Sequence, residues 1–154
     1  MQTVSNKKIR VLIADNHKYF RQTLRLICEA ADDLTVVGES ENGDRAVDMA
    51  RRLRPDVILM DVRMPVMNGI RATSHIVTES PVTRVVILTM AEVEDDLFMA
   101  IRAGARSYLL KEADAHMIIA TIRSVHRGEV VLSPPMLVRL FDSIYTRSAG
   151  APAS

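Results

Sequence analysis

The fold is decided by the stretch Asp56-Val57-Ile58-Leu59-Met60-Asp61-Val62-Arg63-Met64-Pro65. Four consecutive apolar residues lead to the carboxylate of Asp61, and a proline follows four positions later. A short apolar run of this kind, entered from Arg54-Pro55, is typical of a strand that is buried on both faces. Open α/β folds bind their ligands where such strands end. We therefore expect Asp61 to lie at the ligand-binding edge of a sheet.

Five apolar segments predict strands, and helical periodicity fills the intervals between them. The predicted strands are 9–14, 35–38, 57–60, 85–88 and 108–110. Five helical stripes follow them in turn: Phe20, Leu24, Ile27 and Ala31; Ala46, Val47, Ala50 and Leu53; Ile70, Ser74 and Val77; Val93, Leu97 and Ile101; and Met117, Ile118, Ile122 and Val125. The residues expected to bound these helices are Asn42 or Asp44, Arg54-Pro55, Pro81, Gly104, Asp114 and Gly128. Strict alternation of strand and helix predicts a flavodoxin-like three-layer α/β sandwich with the parallel strand order 2-1-3-4-5.

Composition narrows the class of protein. A chain of 154 residues is long enough for one domain and a short appendage, and its net charge of +1 indicates neither nucleic-acid nor membrane binding by the chain itself. The first ten residues lack the apolar core of a signal peptide, and no apolar run approaches membrane-spanning length. The single cysteine, Cys28, excludes an internal disulfide and suits the reducing cytoplasm. Its apolar neighbours predict a buried, unreactive thiol.

Polar side chains follow four of the predicted strands directly. They are Asp15, Asp61, Thr89 and Lys111. Because parallel strands end at the same edge, we expect these groups to share one cleft. Two carboxylates favour a hard cation such as Mg²⁺ between them, while a hydroxyl and an ammonium would orient phosphoryl oxygens. The set suits transfer of a phosphoryl group onto a carboxylate. His17 has no evident base or orienting partner, which favours a structural role.

Four segments together resemble the receiver domain of two-component response regulators. They are Ala14-Asp15-Asn16-His17, the run from Met60-Asp61 to Asn68-Gly69, Leu88-Thr89, and Gly104-Ala105-Arg106-Ser107-Tyr108-Leu109-Leu110-Lys111. The resemblance implies that Asp61 accepts a phosphoryl group from a histidine kinase or a small phosphodonor. It implies that Thr89 and Lys111 contact that group, and that Tyr108 turns inward when Thr89 is drawn towards it. By the same resemblance the chain is a phosphoacceptor with intrinsic autodephosphorylation rather than an enzyme.

The implied Mg²⁺ ligands include one departure from the family pattern. They are Asp15, Asn16, Asp61 and the backbone carbonyl of Arg63, and the family usually has a second acid where this chain has Asn16. An amide keeps an oxygen but removes a charge, so we expect weaker Mg²⁺ binding. Met90 stands where small residues are common, and its long side chain is expected to obstruct access to Asp61.

Particular residues bear on three other functions. A haloacid-dehalogenase-type phosphatase needs a second Asp two residues after Asp61, where this chain has Arg63. A dinucleotide-binding domain needs a glycine-rich turn, which Asp15-Asn16-His17-Lys18 does not provide. A pseudo-receiver that acts without phosphate, as an interaction module, is favoured by Asn16 and opposed by the intact Asp61 and its polar neighbours.

The end of the chain predicts a linker. We expect a receiver domain over 1–128 and, in 129–154, a short helix at about 134–145 with the apolar stripe Leu137, Leu140, Phe141 and Ile144. The segment Gly128-Glu129-Val130-Val131-Leu132-Ser133-Pro134 resembles regulators of the NarL/FixJ type. In that type a LuxR-like helix-turn-helix domain follows, so we expect either a receiver piece of a longer transcription factor, with DNA bound only by an output domain absent from this chain, or a stand-alone receiver that signals through contacts. The resemblance also implies a homodimer, formed through the fourth and fifth helices, where Phe98 and Met99 are candidates for an exposed patch, or through the C-terminal helix.

Overall fold

The computed structural model describes residues 7–90 and 94–149. Strands and helices alternate strictly up to β5, as predicted. In chain order the elements are β1 (Ile9–Ala14), α1 (Lys18–Glu29), β2 (Leu34–Ser40), α2 (Gly43–Leu53), β3 (Val57–Asp61), α3 (Gly69–Glu79), β4 (Arg84–Thr89), α4 (Glu94–Ala103), β5 (Ser107–Leu110), α5 (Ala115–His126) and α6 (Pro134–Ala149). Within the described residues, no helix is both long and apolar enough to cross a membrane.

The five strands form one parallel sheet in the order β2-β1-β3-β4-β5. This is the flavodoxin-like order that the sequence predicted. The central strand β3 is buried at every position, which explains its continuous apolar run. The edge strand β2 is longer than the predicted 35–38, because most of its positions are only half-buried and carry a weak apolar pattern.

Alternate residues of β3 serve two hydrophobic cores. Ile58 and Met60 belong to the core that lies under α2, α3 and α4. Val57 and Leu59 belong to the core on the other face, which α1 and α5 cover. Successive side chains of a strand point to opposite faces, so one apolar run supports both layers of helices. The sheet is thereby fixed, and so is the edge at which its strands end.

Most of the predicted helix boundaries are confirmed. The side chains of Asn42 and Asp114 accept hydrogen bonds from backbone N–H groups in the first turns of α2 and α5. Gly104 ends α4 with φ of 112°, the left-handed conformation expected of it. Cys28 is buried, and burial raises the pKa of its thiol to about 12.

Two predicted core positions differ from the structure, and one lies outside the described residues. Met117 was expected to face inward, but 47% of it is exposed on α5. Ser74 is exposed, because α3 turns Ala72, Thr73 and Ile76 towards the sheet instead. Ala31 lies beyond the end of α1 but still packs, partly buried, against the core on that face. Val93 is outside the described residues.

The C-terminal helix α6 packs on the receiver, but not through its apolar stripe. A parallel bridge between Ser107 and Val131 leads the chain back along β5 before α6 begins. Met136 and Ser143 are buried, and Met136 joins the core that contains Tyr108. The predicted apolar stripe is not buried on the receiver, since Leu137, Phe141 and Ile144 are 40%, 66% and 46% exposed. The spacing of apolar residues alone did not show which side of α6 meets α4.

Candidate functional site

Four strands deliver their polar residues to one edge of the sheet, as predicted. Asp15 follows β1, Asp61 ends β3, Thr89 ends β4 and Lys111 follows β5. All four are buried, with exposed fractions between 1% and 8%. The backbone N–H of Lys111 donates to the carbonyl of Thr89 (2.8 Å), so the β4–β5 ladder continues to the site itself.

The ammonium of Lys111 lies against both carboxylates. Its Nζ is 2.7 Å from Asp15 Oδ2 and 3.4 Å from Asp61 Oδ2. Phe20 on α1 lies against it from another direction, with Nζ 4.8 Å from the ring centroid. A buried lysine needs such partners, because removing an unpaired charge from water is costly. The ammonium compensates one of the two negative charges and leaves the cluster anionic.

The carboxyl group of Asp61 is harder to ionise than an ordinary aspartate. Burial raises its pKa, and the neighbouring charge of Asp15 raises it further, while Lys111 and the backbone N–H of Arg63 act in the opposite direction. The Arg63 N–H lies 3.4 Å from Asp61 Oδ1, which is a weak contact. An additional cation beside Asp61 would therefore be favourable.

His17 belongs to the site, although the sequence favoured a structural role for it. Its Nδ1 lies 3.3 Å from Asp15 Oδ1, 3.3 Å from Lys111 Nζ and 4.0 Å from Asp61 Oδ2. The backbone N–H of His17 also donates to Asp15 Oδ1 (2.6 Å), which turns the chain back over the strand end. The signal that could have revealed this is its position two residues after a strand-end carboxylate, within reach of such a turn.

The other residues predicted to belong to the site differ in their exposure and in the direction of their side chains. Asn16 is exposed, and so is Met90, of which 75% is accessible immediately after Thr89. The side chain of Arg63 points away to pair with Asp96 of α4 at 2.9 Å. Tyr108 is fully buried in β5. Tyr108 therefore already occupies the inward position that the resemblance to receiver domains associates with the phosphorylated state.

The donor atoms fit a divalent cation. Asp15, His17 and Asp61 each offer a ligand atom, and these atoms lie within 4.8 Å of one another. Among the described residues, Asp15 Oδ2 and Asp61 Oδ2 are buried oxygens whose close polar neighbour is the ammonium of Lys111, at 2.7 Å and 3.4 Å. Buried carboxylate oxygens of this kind are typical ligands of hard cations.

The loop after Asp61 is held by a close backbone contact. The N–H of Gly69 donates to the carbonyl of Val62 (2.9 Å), and Asn68 caps α3 through the N–H of Arg71 (2.9 Å). A Cβ atom on Gly69 would lie 1.9 Å from the carbonyl oxygen of Asp61. Only glycine allows this approach, so the sequence Asn68-Gly69 helps to fix the position of Asp61.

Comparison with known proteins agrees with this geometry. The model of the response regulator receiver domain family matches residues 11–123. The transcriptional regulatory protein YxjL of Bacillus subtilis (strain 168) is 41% identical over 142 residues, which cover 92% of this chain and 65% of that protein. The nitrate/nitrite response regulator protein NarL of Escherichia coli (strain K12) is 32% identical over 139 residues, or 90% of this chain and 64% of that protein.

A solved structure is also similar. The crystal structure of a two-component response regulator of the LuxR family from Aurantimonas sp. SI85-9A1 superposes with a TM-score of 0.82 at 27% identity, covering 90% of this chain and 99% of that one. The present chain spans less than two thirds of the length of the two curated relatives named above. The family match covers most of the chain and includes every strand-end residue of the site. The chain therefore belongs to the response regulator receiver domain family, with relatives of the NarL and LuxR type.

Proposed function

We propose that this chain is the receiver of a cytoplasmic two-component response regulator and accepts a phosphoryl group on Asp61. The observation that carries the proposal is the buried contact of Lys111 Nζ with both Asp15 Oδ2 and Asp61 Oδ2. It places a nucleophilic carboxylate beside a fixed cation at the open end of a parallel sheet. A sensor histidine kinase or a small acyl phosphate would supply the phosphoryl group.

The reaction follows from the groups present. A carboxylate oxygen of Asp61 attacks phosphorus, the bond to the donor breaks, and an acyl phosphate forms on Asp61. Lys111 pairs with the new phosphoryl oxygens, and the hydroxyl of Thr89 is a further donor at the same edge. Hydrolysis of the acyl phosphate by water would return the domain to its starting state, as intrinsic autodephosphorylation.

A divalent cation such as Mg²⁺ would neutralise charge on the phosphoryl oxygens. Asp15 and Asp61 are the carboxylates placed to hold it, with the carbonyl of Arg63 and the amide of Asn16 as further candidates. The exposed, uncharged Asn16 supports weaker Mg²⁺ binding than a second carboxylate would give.

Signalling requires that phosphate favour one of two conformations. Thr89 and Tyr108 are the candidate switch residues, since both lie on the strands that flank α4. Arg63, two residues after the acceptor, pairs with Asp96 on α4 and gives a direct link between the acceptor loop and that helix. We propose that phosphorylation changes the position of α4, on which α6 packs.

Intact-mass analysis tests the acceptor. The parent protein, incubated with acetyl phosphate and Mg²⁺, should gain the mass of one phosphoryl group, and Asp61→Asn should gain none. Asp48→Asn is the matched control, because Asp48 is an exposed aspartate on α2. A phosphoryl mass gain in Asp61→Asn, or the absence of that gain in Asp48→Asn alone, would contradict the assignment.

The second candidate function is a pseudo-receiver that acts as an interaction or dimerisation module without phosphate. Asn16 and the already buried Tyr108 favour it, because an inward switch residue needs no phosphate to hold it there. If the parent gains no mass with any donor or metal while remaining folded, this function replaces the first.

We propose that residues 1–128 form the receiver and that 129–154 join it to a DNA-binding output domain in a longer protein. We also propose that the protein forms a homodimer. The relatives are transcriptional regulators longer than this chain, which supports the output domain. Val138, Phe141 and Tyr145 are 59%, 66% and 76% exposed on α6, which supports α6 as part of a dimer surface.

Sedimentation velocity tests the dimer. Acetyl phosphate should increase the dimer fraction of the parent, and Phe141→Asp should abolish that increase. Val82→Asp is the control, at an apolar position before β4 that is 78% exposed, and should dimerise like the parent. Equal dimerisation of the Phe141→Asp variant would exclude the α6 surface.

A further inference from the structure

The position of His17 has a consequence for the identity of the cation. Its imidazole lies at the rim of the cluster, with 58% of the side chain exposed, while the carboxylates beneath it are buried. The ring is thus accessible from solvent and faces the oxygens that a cation would use. The residue before it, Asn16, supplies no charge at the place where the family usually has a second acid.

The imidazole already faces a cation in the structure. The hydrogen-bond contact of Nδ1 is with the ammonium of Lys111 at 3.3 Å. An ammonium has donors but no acceptor, so this contact is a hydrogen bond in the tautomer that carries its proton on Nε2 and its lone pair on Nδ1. The same Nδ1 lies 3.3 Å from Asp15 Oδ1. In that tautomer the lone pair faces a negative oxygen, which is unfavourable unless a cation lies between the two atoms.

The distances agree with a shared ion. Two ligand atoms that each lie about 2.1 Å from one ion are about 3.0 Å apart at a right angle and about 4.2 Å apart on opposite sides. Nδ1 of His17 lies 3.3 Å from Asp15 Oδ1 and 4.0 Å from Asp61 Oδ2, and both separations fall in that range. The ligand atoms of Asp15, His17 and Asp61 all lie within 4.8 Å of one another, so small side-chain movements would bring them round one divalent ion beside the Lys111 ammonium.

We propose that His17 is a metal ligand in place of the missing second carboxylate, so that the site prefers a borderline ion such as Zn²⁺ to Mg²⁺. The inference rests on the proposed function, because it assigns a ligand to the cation that the acceptor site would hold. Imidazole nitrogen suits Zn²⁺ and similar ions, whereas Mg²⁺ favours oxygen ligands and keeps its waters. Replacing a carboxylate by an amide and adding an imidazole thus shifts the preference away from Mg²⁺.

The direct test is the imidazole ¹⁵N spectrum of the whole chain, titrated with Zn²⁺ alone. The chain has four histidines, His17, His75, His116 and His126, and His17→Ala assigns the relevant signal. We expect the His17 Nδ1 resonance to shift first, at the lowest Zn²⁺ concentration. A titration that shifts only the other three histidines, or all four together, overturns the proposal.

Calorimetry with Zn²⁺ and with Mg²⁺ gives an independent measure. His17→Ala should weaken Zn²⁺ binding roughly tenfold or more, as the loss of a ligand costs at least what loss of an outer-shell partner does, and should change Mg²⁺ binding far less. His126→Ala is the control, because His126 is the last residue of α5, and it should leave the affinities for Zn²⁺ and Mg²⁺ unchanged. Equal losses for the two ions, or no loss, would overturn the assignment.

The experiments can reject either of the two proposals without rejecting the other. A Zn²⁺-dependent shift of His17 without any mass gain from acetyl phosphate would reject the phosphoacceptor function and keep the metal ligand. Mass gain at Asp61 without a Zn²⁺-dependent shift would reject the ligand and keep the phosphoacceptor.

Discussion

The tightest backbone contact near the acceptor gives the most demanding prediction. Gly69 opens α3, and a Cβ atom built there lies 1.9 Å from the carbonyl oxygen of Asp61. Real Cβ atoms essentially never approach within 3.0 Å of another atom, so Gly69→Ala must displace the acceptor strand or the start of α3 by about 1 Å. Neither partner can rotate out of the way, because the contact is with backbone rather than with a flexible side chain.

The expected magnitude combines two opposing effects. Overpacking costs about 1–3 kcal/mol, and a rigid backbone contact belongs at the upper end of that range. Alanine gains up to about 1 kcal/mol over glycine from its helix propensity. The net loss should therefore be about 2 kcal/mol, which lowers the urea midpoint by about 1 M at an ordinary denaturant slope.

Urea unfolding of the parent and of Gly69→Ala measures this loss. Thr78→Ala, an exposed change on the same helix, is the control and should leave the midpoint nearly unchanged. Mass labelling by acetyl phosphate should also slow in Gly69→Ala, since the carbonyl that must move belongs to Asp61 itself. A midpoint equal to or above that of the parent would show that helix propensity dominates and that the close contact is not a constraint.

Three further predictions concern the core, the charge of the acceptor and the metal. Met136→Ala should cost about 2–4 kcal/mol, because Met136 is buried in the core beneath α6, whereas Val138→Ala should cost under about 0.5 kcal/mol in the same urea assay. Burial and the charge of Asp15 raise the pKa of Asp61, so its ionised form destabilises the fold. Asp61→Asn should then be more stable than the parent at neutral pH without metal, with the difference shrinking as the pH falls through the pKa of Asp61; a difference that grows on acidification contradicts this. Asn16→Asp should raise Mg²⁺ affinity roughly tenfold by adding a charged oxygen ligand, and unchanged affinity in calorimetry would place position 16 outside the metal site.

The sequence by itself determined the sheet and the positions of its functional ends. Strict alternation of strand and helix makes the strands parallel and fits the observed order, and four of the apolar runs stop at a polar residue. The meeting of Asp15, Asp61, Thr89 and Lys111 at one edge follows from these two patterns. The helix caps Asn42 and Asp114 could also be predicted from the sequence, because a cap side chain bonds to a backbone N–H only a few residues away.

Tertiary structure alone decided the features that depend on contacts between distant segments. The face of α6 that is buried depends on where α4 lies, and the structure buries Met136 and Ser143, which the apolar spacing of α6 did not single out. His17 is separated from Lys111 by 94 positions, so its entry into the site could be seen only when β1 and β5 were brought to the same edge. Local patterns fix which groups a strand or helix presents, whereas packing fixes which of those groups meet.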